Sequence, residues 1–172
     1  MKKTILYTFA IVALTLTACS NGSQTKVDDA TKENSVDDAN LLNGYVNVDL
    51  SDKGFPIVIK VPQGVKVEQT PYGTVEIKDS AAFQIQIAES TVDVTQWKKD
   101  IQTNDVNKFK RFLAEEADAL LYESAFSAPE FHFVKIFKGK TNSYEIQDIK
   151  GAIFTEADAK AMYQAAKSVK DK

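Results

Sequence analysis

The stretch Phe83-Gln84-Ile85-Gln86-Ile87 alternates large apolar and amide side chains one for one. Successive side chains on an extended strand point to opposite faces, so such a stretch buries its apolar set only as a strand with one covered face and one wet face. The same pattern precedes it. Residues 45–50 fit a first strand, and Phe55, Ile57, Ile59 and Val61 alternate with mostly smaller or polar residues. Val65 and Val67 follow, then Val75 and Ile77. Pro62-Gln63-Gly64 and Thr70-Pro71-Tyr72-Gly73 punctuate these runs as turns. Connections this short join antiparallel neighbours. The first half of the chain is therefore expected to be an antiparallel meander with one buried face.

The period changes after Ser90. Val94, Trp97, Ile101, Phe109, Phe112 and Leu113 recur at spacings of three and four, which predicts a helical layer over residues 94–116 with an apolar stripe. Thr91 and Thr95 are candidate N-caps, and Asn104 with Asn107 leaves open a division into two helices. On such a helix Arg111 and Glu115 form an i,i+4 pair. Strands return over residues 119–126 and 131–137. In the second, Phe131, Phe133 and Phe137 share one face while His132, Val134 and Ile136 share the other. Both faces are largely apolar, so this strand is expected to be central and covered on both sides. Gly139 between Lys138 and Lys140 marks a hairpin tip, and Tyr144, Ile146 and Ile149 continue the sheet. Thr155 and Asp158 stand at capping-box spacing, with Asp replacing the preferred Glu. A closing helix then docks through Ala157, Ala161, Met162, Ala165 and Val169.

Residues 41–172 thus form a single α+β domain: an antiparallel sheet of about six to seven strands flanked by helices. Its length suffices for one sizeable core. The order of elements resembles the PsbP/Mog1-like architecture, on three cues: the early hairpins ending in Phe83-Gln84-Ile85-Gln86-Ile87 with a helix after them, the run Phe131-His132-Phe133-Val134-Lys135-Ile136-Phe137, and the helix from Thr155. That resemblance implies a small binding, assembly or accessory protein rather than an enzyme, and it places no functional residue.

The first nineteen residues, MKKTILYTFAIVALTLTAC, are read as an address. Lys2 and Lys3 open it, an apolar run follows from Ile5 to Leu16, and small residues lead to Cys19. This is the pattern of a secretory signal over residues 1–18. The apolar run is short for a membrane span, which needs about 20 such residues. Leu16-Thr17-Ala18-Cys19 resembles the lipobox of bacterial lipoproteins. The resemblance implies cleavage before Cys19 and lipidation of its thiol with fatty acyl chains such as palmitate. Two or more chains give stable membrane attachment where one is marginal. It also implies an extracytoplasmic location at the cell envelope. Ser20 in place of an Asp retention signal points to the outer membrane in a bacterium that has one, on its periplasmic or outer side. Residues 19–40 carry five acids, two lysines and no aromatic residue. They read as the lipidated cysteine and a flexible tether, because such a stretch buries too little apolar area to offset ordering.

The remaining chemistry is sparse. One cysteine and one histidine in 172 residues exclude a disulfide framework, a cysteine-based zinc cluster and a multi-histidine metal site within one copy. A formal charge of −3 argues against a nucleic-acid surface. No phosphate-binding glycine loop, serine elbow or cofactor motif occurs, so no catalytic, cofactor-binding or metal residue is assigned. His132 is read chiefly as a structural histidine. The cluster Glu115, Glu116 and Asp118, with Glu123 nearby, is read as solvated surface. Phe126, Phe131, Phe133 and Phe137 crowd one region as core. A groove between sheet and helix, lined by Trp97 and His132, is the candidate site for a small apolar ligand. The function expected is a lipid-anchored envelope binding or accessory module, its partner the bilayer through Cys19 and an envelope protein or small ligand. The alternatives are a structural partner in an envelope assembly, and an envelope hydrolase.

Overall fold

A computed structural model describes residues 42–172. The signal over residues 1–18, Cys19 and the tether over residues 19–40 lie outside the described residues. The described chain is α+β. Its larger sheet has seven strands, all antiparallel to their neighbours, in the order β3-β4-β5-β9-β8-β7-β6. The strands are β3 (Lys66–Gln69), β4 (Val75–Ser80), β5 (Phe83–Glu89), β6 (Lys108–Glu115), β7 (Ala119–Ala125), β8 (Pro129–Lys138) and β9 (Ser143–Asp148). A separate three-stranded sheet holds β1 (Tyr45–Asp49), β2 (Ile57–Pro62) and the short β10 (Lys170–Asp171), with β2 in the middle. The expected meander therefore divides. Its first two strands leave for the small sheet, where the C-terminal residues complete the pairing.

Two helices cover opposite faces. Helix α2 (Glu156–Lys167) and the small sheet enclose the main core, in which Ile57, Ile59, Ile77, Ile85, Ile87, Phe133 and Met162 are buried. Helix α1 (Val94–Gln102) covers a smaller core of Ile101, Leu120, Val134 and Ile136, with Trp97, Phe109, Phe112 and Tyr122 packed around it. Strand β8 lies between β7 and β9 and feeds both cores: Phe133 points into one, Val134 and Ile136 into the other. Its two apolar faces have that cause.

The helical layer expected over residues 94–116 is corrected. Only residues 94–102 are helical, and residues 108–115 form the edge strand β6. Opposite Ser124 and Tyr122, two residues apart on β7, stand Phe109 and Phe112, three apart on β6. The register shift between Phe109 and Arg111 absorbs the extra residue. A bulge of this kind keeps two side chains three apart on one face of a strand, which imitates the helical period. The Arg111–Glu115 pair falls with the helix. Arg111 Nε instead donates across the ladder to Glu123 at 2.7 Å, and Glu115 takes Lys98 of α1 at 2.5 Å. Asp93, not Thr91 or Thr95, caps α1, accepting Gln96 N–H at 2.9 Å. The cap of α2 is as expected: Thr155 Oγ1 accepts Asp158 N–H at 3.2 Å, and Asp158 Oδ2 accepts Thr155 N–H at 3.0 Å. Its docked face is largely the expected one, with Met162, Ala165 and Val169 buried. Ala159, Tyr163 and Ala166 are buried as well, while Ala157 is exposed.

At the β8–β9 hairpin tip, Gly139 meets the C-terminal strand. A Cβ there would lie 2.9 Å from Asp171 Oδ1 and 3.1 Å from the Asn142 carbonyl oxygen. Asp171 Oδ1 also accepts Lys140 N–H at 3.0 Å, so the hairpin and β10 hold each other in place.

Candidate functional site

Helix α1 crosses one face of the sheet without sealing it. Between them opens a cleft of about 360 Å³ lined by residues from the helix, the loop after it, β7, β8 and the end of β9. Trp97 and Ile101 are four residues apart and so share a face of α1. Ile101 enters the small core and Trp97 packs at its edge. The Trp97 indole N–H donates to Glu145 Oε2 of β9 at 3.0 Å. Glu145 is held in turn by Ser90 Oγ at 3.2 Å and Gln147 Nε2 at 2.9 Å. The ring is thus fixed by its one polar atom and offers only its surface. The helix ends at Gln102, and just beyond it Asn104 Oδ1 accepts the backbone N–H groups of Val106 at 2.9 Å and Asn107 at 2.8 Å. This side-chain turn brings Asn104 and Asn107 to the cleft wall.

The floor comes from strand pairing. Tyr122 stands opposite His132, and Ser124 opposite Glu130. The period of two puts all four on the same face as Val134. Strand β9 pairs with β8 only as far as Gln147, opposite Val134. Past that point the Asp148 side chain replaces the ladder. Its Oδ1 accepts Phe133 N–H at 2.8 Å, and its Oδ2 lies 2.8 Å from His132 Nδ1. The Tyr122 ring packs against the imidazole with centroids 5.3 Å apart.

Electrostatics follow from burial. Burial pushes the His132 pKa down, but the hydrogen bond and charge of Asp148 and the charge of Glu130 outweigh it, and the net shift is upward. Burial, aided by the Asp148 charge, pushes the Tyr122 phenol far above its ordinary value, so the phenol stays neutral. Among the described residues, His132 Nε2 and Ser124 Oγ have no hydrogen-bond partner, although both are buried. Glu130 Oε2 stands 3.6 Å from Nε2, close enough to pair with the charged imidazolium.

A histidine oriented by a carboxylate, with a serine near it, assembles the parts of nucleophilic catalysis. The link that activates the serine is missing, since neither Ser124 Oγ nor His132 Nε2 is hydrogen-bonded to the other. Both atoms also lie beneath the surface rather than open to the cleft. The arrangement is a rigid floor under a partly polar cavity.

Trp97 and His132, the two residues expected to line a groove, are brought to this one cleft. Asp100, Ser124 and Asp148 were missed. Sixteen residues separate His132 from Asp148, and no local spacing marks the pair. The acidic cluster is dispersed: Glu116 accepts from Tyr163 at 2.8 Å and Lys167 at 2.6 Å, and Asp118 takes Lys135 at 2.5 Å. No group of three metal-ligating side chains occurs among the described residues. Phe126, expected in the core, is 71% exposed at the β7–β8 turn.

Compared with known proteins, the chain matches no family model, no curated protein and no solved structure.

Proposed function

We propose that this chain is a lipid-anchored binding module of the bacterial cell envelope, held at a membrane by Cys19 and presenting the α1 cleft to a small ligand. The cleft carries the binding part of this reading. It is concave, its size falls within the range of about 300–1,000 Å³ usual for small-molecule sites, and aromatic and polar side chains converge on it. The anchor is supported by the sequence Leu16-Thr17-Ala18-Cys19 after a basic and then apolar start. With Ser20 next, the outer membrane of a diderm bacterium is the proposed address, and the stretch 20–40 spaces the domain from the lipid surface.

The test of the anchor is expression of the intact chain in a bacterium, with mass measurement of the mature N-terminus and membrane washing in carbonate. Acylated Cys19 and loss of membrane retention in Cys19→Ala are the expected results. An unmodified Cys19, or a Cys19→Ala protein that stays in the exported membrane fraction, overturns it.

A hydrolytic reading has one observation in its favour, the common cleft of Ser124, His132 and Asp148. The unlinked, shielded serine weighs against it. Turnover of a chromogenic ester by the purified chain, abolished in Ser124→Ala, is the result that would reverse this preference.

A further inference from the structure

The cleft is neither an anion site nor a cation site, and its polar groups are of a kind that narrows the ligand class. Two acids and two bases line it. Asp148 is matched by His132, whose protonated form the fold favours. Asp100 is balanced in charge by Lys150, which also lines the cleft. The lining itself carries no net charge; Glu130 and Glu145 behind it disfavour an anion, and Lys150 over the Trp97 ring disfavours a cation there. The lining is mixed rather than wholly apolar, with Ile101 and the Trp97 and Tyr122 rings standing among these polar groups. Trp97 contributes a fixed ring with its N–H already spent on Glu145. Around the ring stand groups that complement hydroxyls. Asp100 Oδ1 accepts Gln96 Nε2 at 2.6 Å, which leaves its second oxygen as an acceptor. Asn104 uses its oxygen in the turn after the helix, which leaves its NH2 as a donor. Asn107 has an amide that supplies both.

A flat ring surface beside a donor, an acceptor and a group that is both is the complement of a neutral pyranose. One face of such a ring presents C–H groups that pack on an aromatic surface, while its hydroxyls each donate and accept. We propose that the α1 cleft binds a neutral saccharide, stacked on Trp97 and hydrogen-bonded to Asp100, Asn104 and Asn107. This deepens the binding reading above and rests on it. Lys150 Nζ lies 6.0 Å from the centroid of the Trp97 ring, where the sugar would sit. The lysine is exposed, and its long stem swings aside without breaking the fold. The rim extends the site. Phe126 follows Ala125, which stands opposite Lys108 at the end of the ladder, and its exposed ring is free to offer a second stacking surface to a longer glycan.

Trp97 is the only tryptophan in the chain, so indole fluorescence of the intact protein in detergent reports directly on the cleft. The probes are maltose and the N-acetylglucosamine disaccharide, with citrate, spermidine and hexanol as anionic, cationic and apolar comparators. The expected result is a saturable change with a neutral disaccharide and none with the comparators. Asp100→Ala, at an exposed position, is expected to weaken that binding about tenfold, equivalent to about 1.4 kcal/mol. Lys150→Ala is expected to leave it unchanged or strengthen it. A response to citrate that vanishes in Lys150→Ala, or a response confined to spermidine or hexanol, overturns the saccharide and leaves a binding cleft of another class. Silence from every probe overturns the saccharide and the binding reading together.

Discussion

Asp148 Oδ2 lies 2.8 Å from His132 Nδ1 while Oδ1 of the same carboxylate accepts Phe133 N–H at 2.8 Å. One side chain thus does two tasks where β9 parts from β8. It ends the ladder without orphaning a buried backbone donor, and it orients the only imidazole in the chain. The side chains of His132 and Asp148 are 13% and 7% exposed, so the pair is largely withdrawn from water. Asp148→Ala is expected to destabilise the domain by about 3 kcal/mol, since it strands both a buried N–H and a buried imidazolium. Asp148→Asn keeps the size and is expected to cost less. Urea denaturation of each variant checks the order.

The same pair sets a pH dependence. The folded His132 pKa is raised above its unfolded value, which is about 6.5. The folded state therefore binds the proton more tightly than the unfolded one. The stabilisation is fully present below the unfolded pKa and is lost as pH rises through the folded value. Stability measured between about pH 5 and pH 8 is expected to fall on the alkaline side, and His132→Gln is expected to flatten that limb. A histidine proton resonance titrating below the unfolded value would contradict it.

Ser124 Oγ is buried with no partner among the described residues. Such a hydroxyl costs desolvation that no hydrogen bond returns. Ser124→Ala is expected to be neutral or to stabilise the fold by up to about 1 kcal/mol, with the saccharide response of Trp97 unchanged. Thermal unfolding and fluorescence titration of the same sample test both statements.

Gly139 has no room for a side chain between Asp171, Asn142 and Tyr144. Gly139→Val is expected to push the β8–β9 hairpin off the C-terminal strand, costing about 1–3 kcal/mol as overpacking does. Faster amide exchange in β10 and at Lys140 is the local signature that separates this from a global loss.

The extra residue in β6 keeps Phe109 and Phe112 on one face. Deleting Lys110 removes the bulge and leaves Phe109 and Phe112 two apart, the spacing at which a regular strand also keeps both on one face. The deletion and Lys110→Ala are therefore both expected to be tolerated in denaturant unfolding, whereas Phe112→Ala, which strips a ring from the small core, is expected to cost about 1.5–3 kcal/mol.

Much of the fold was legible in the chain. Alternation in Phe83-Gln84-Ile85-Gln86-Ile87 marks β5, the two-faced apolar run around Phe133 and Val134 marks a covered central strand, and Thr155 with Asp158 marks the start of α2. These are local signals, and they are reliable because side-chain direction in a strand and donor exposure at a helix start follow from the backbone alone. Trp97 and His132 were legible as residues of one groove. Three things waited for the tertiary structure. The bulge in β6 depends on what stands opposite Phe109 and Phe112, and neither ring records whether its spacing belongs to a helix or to an interrupted ladder. The parting of the first two strands into a second sheet depends on the C-terminal residues, more than a hundred positions away, pairing with β2. The partnership of Asp148 with His132 depends on where β9 leaves β8. Pairing across strands joins residues by register, and register is a property of two segments at once.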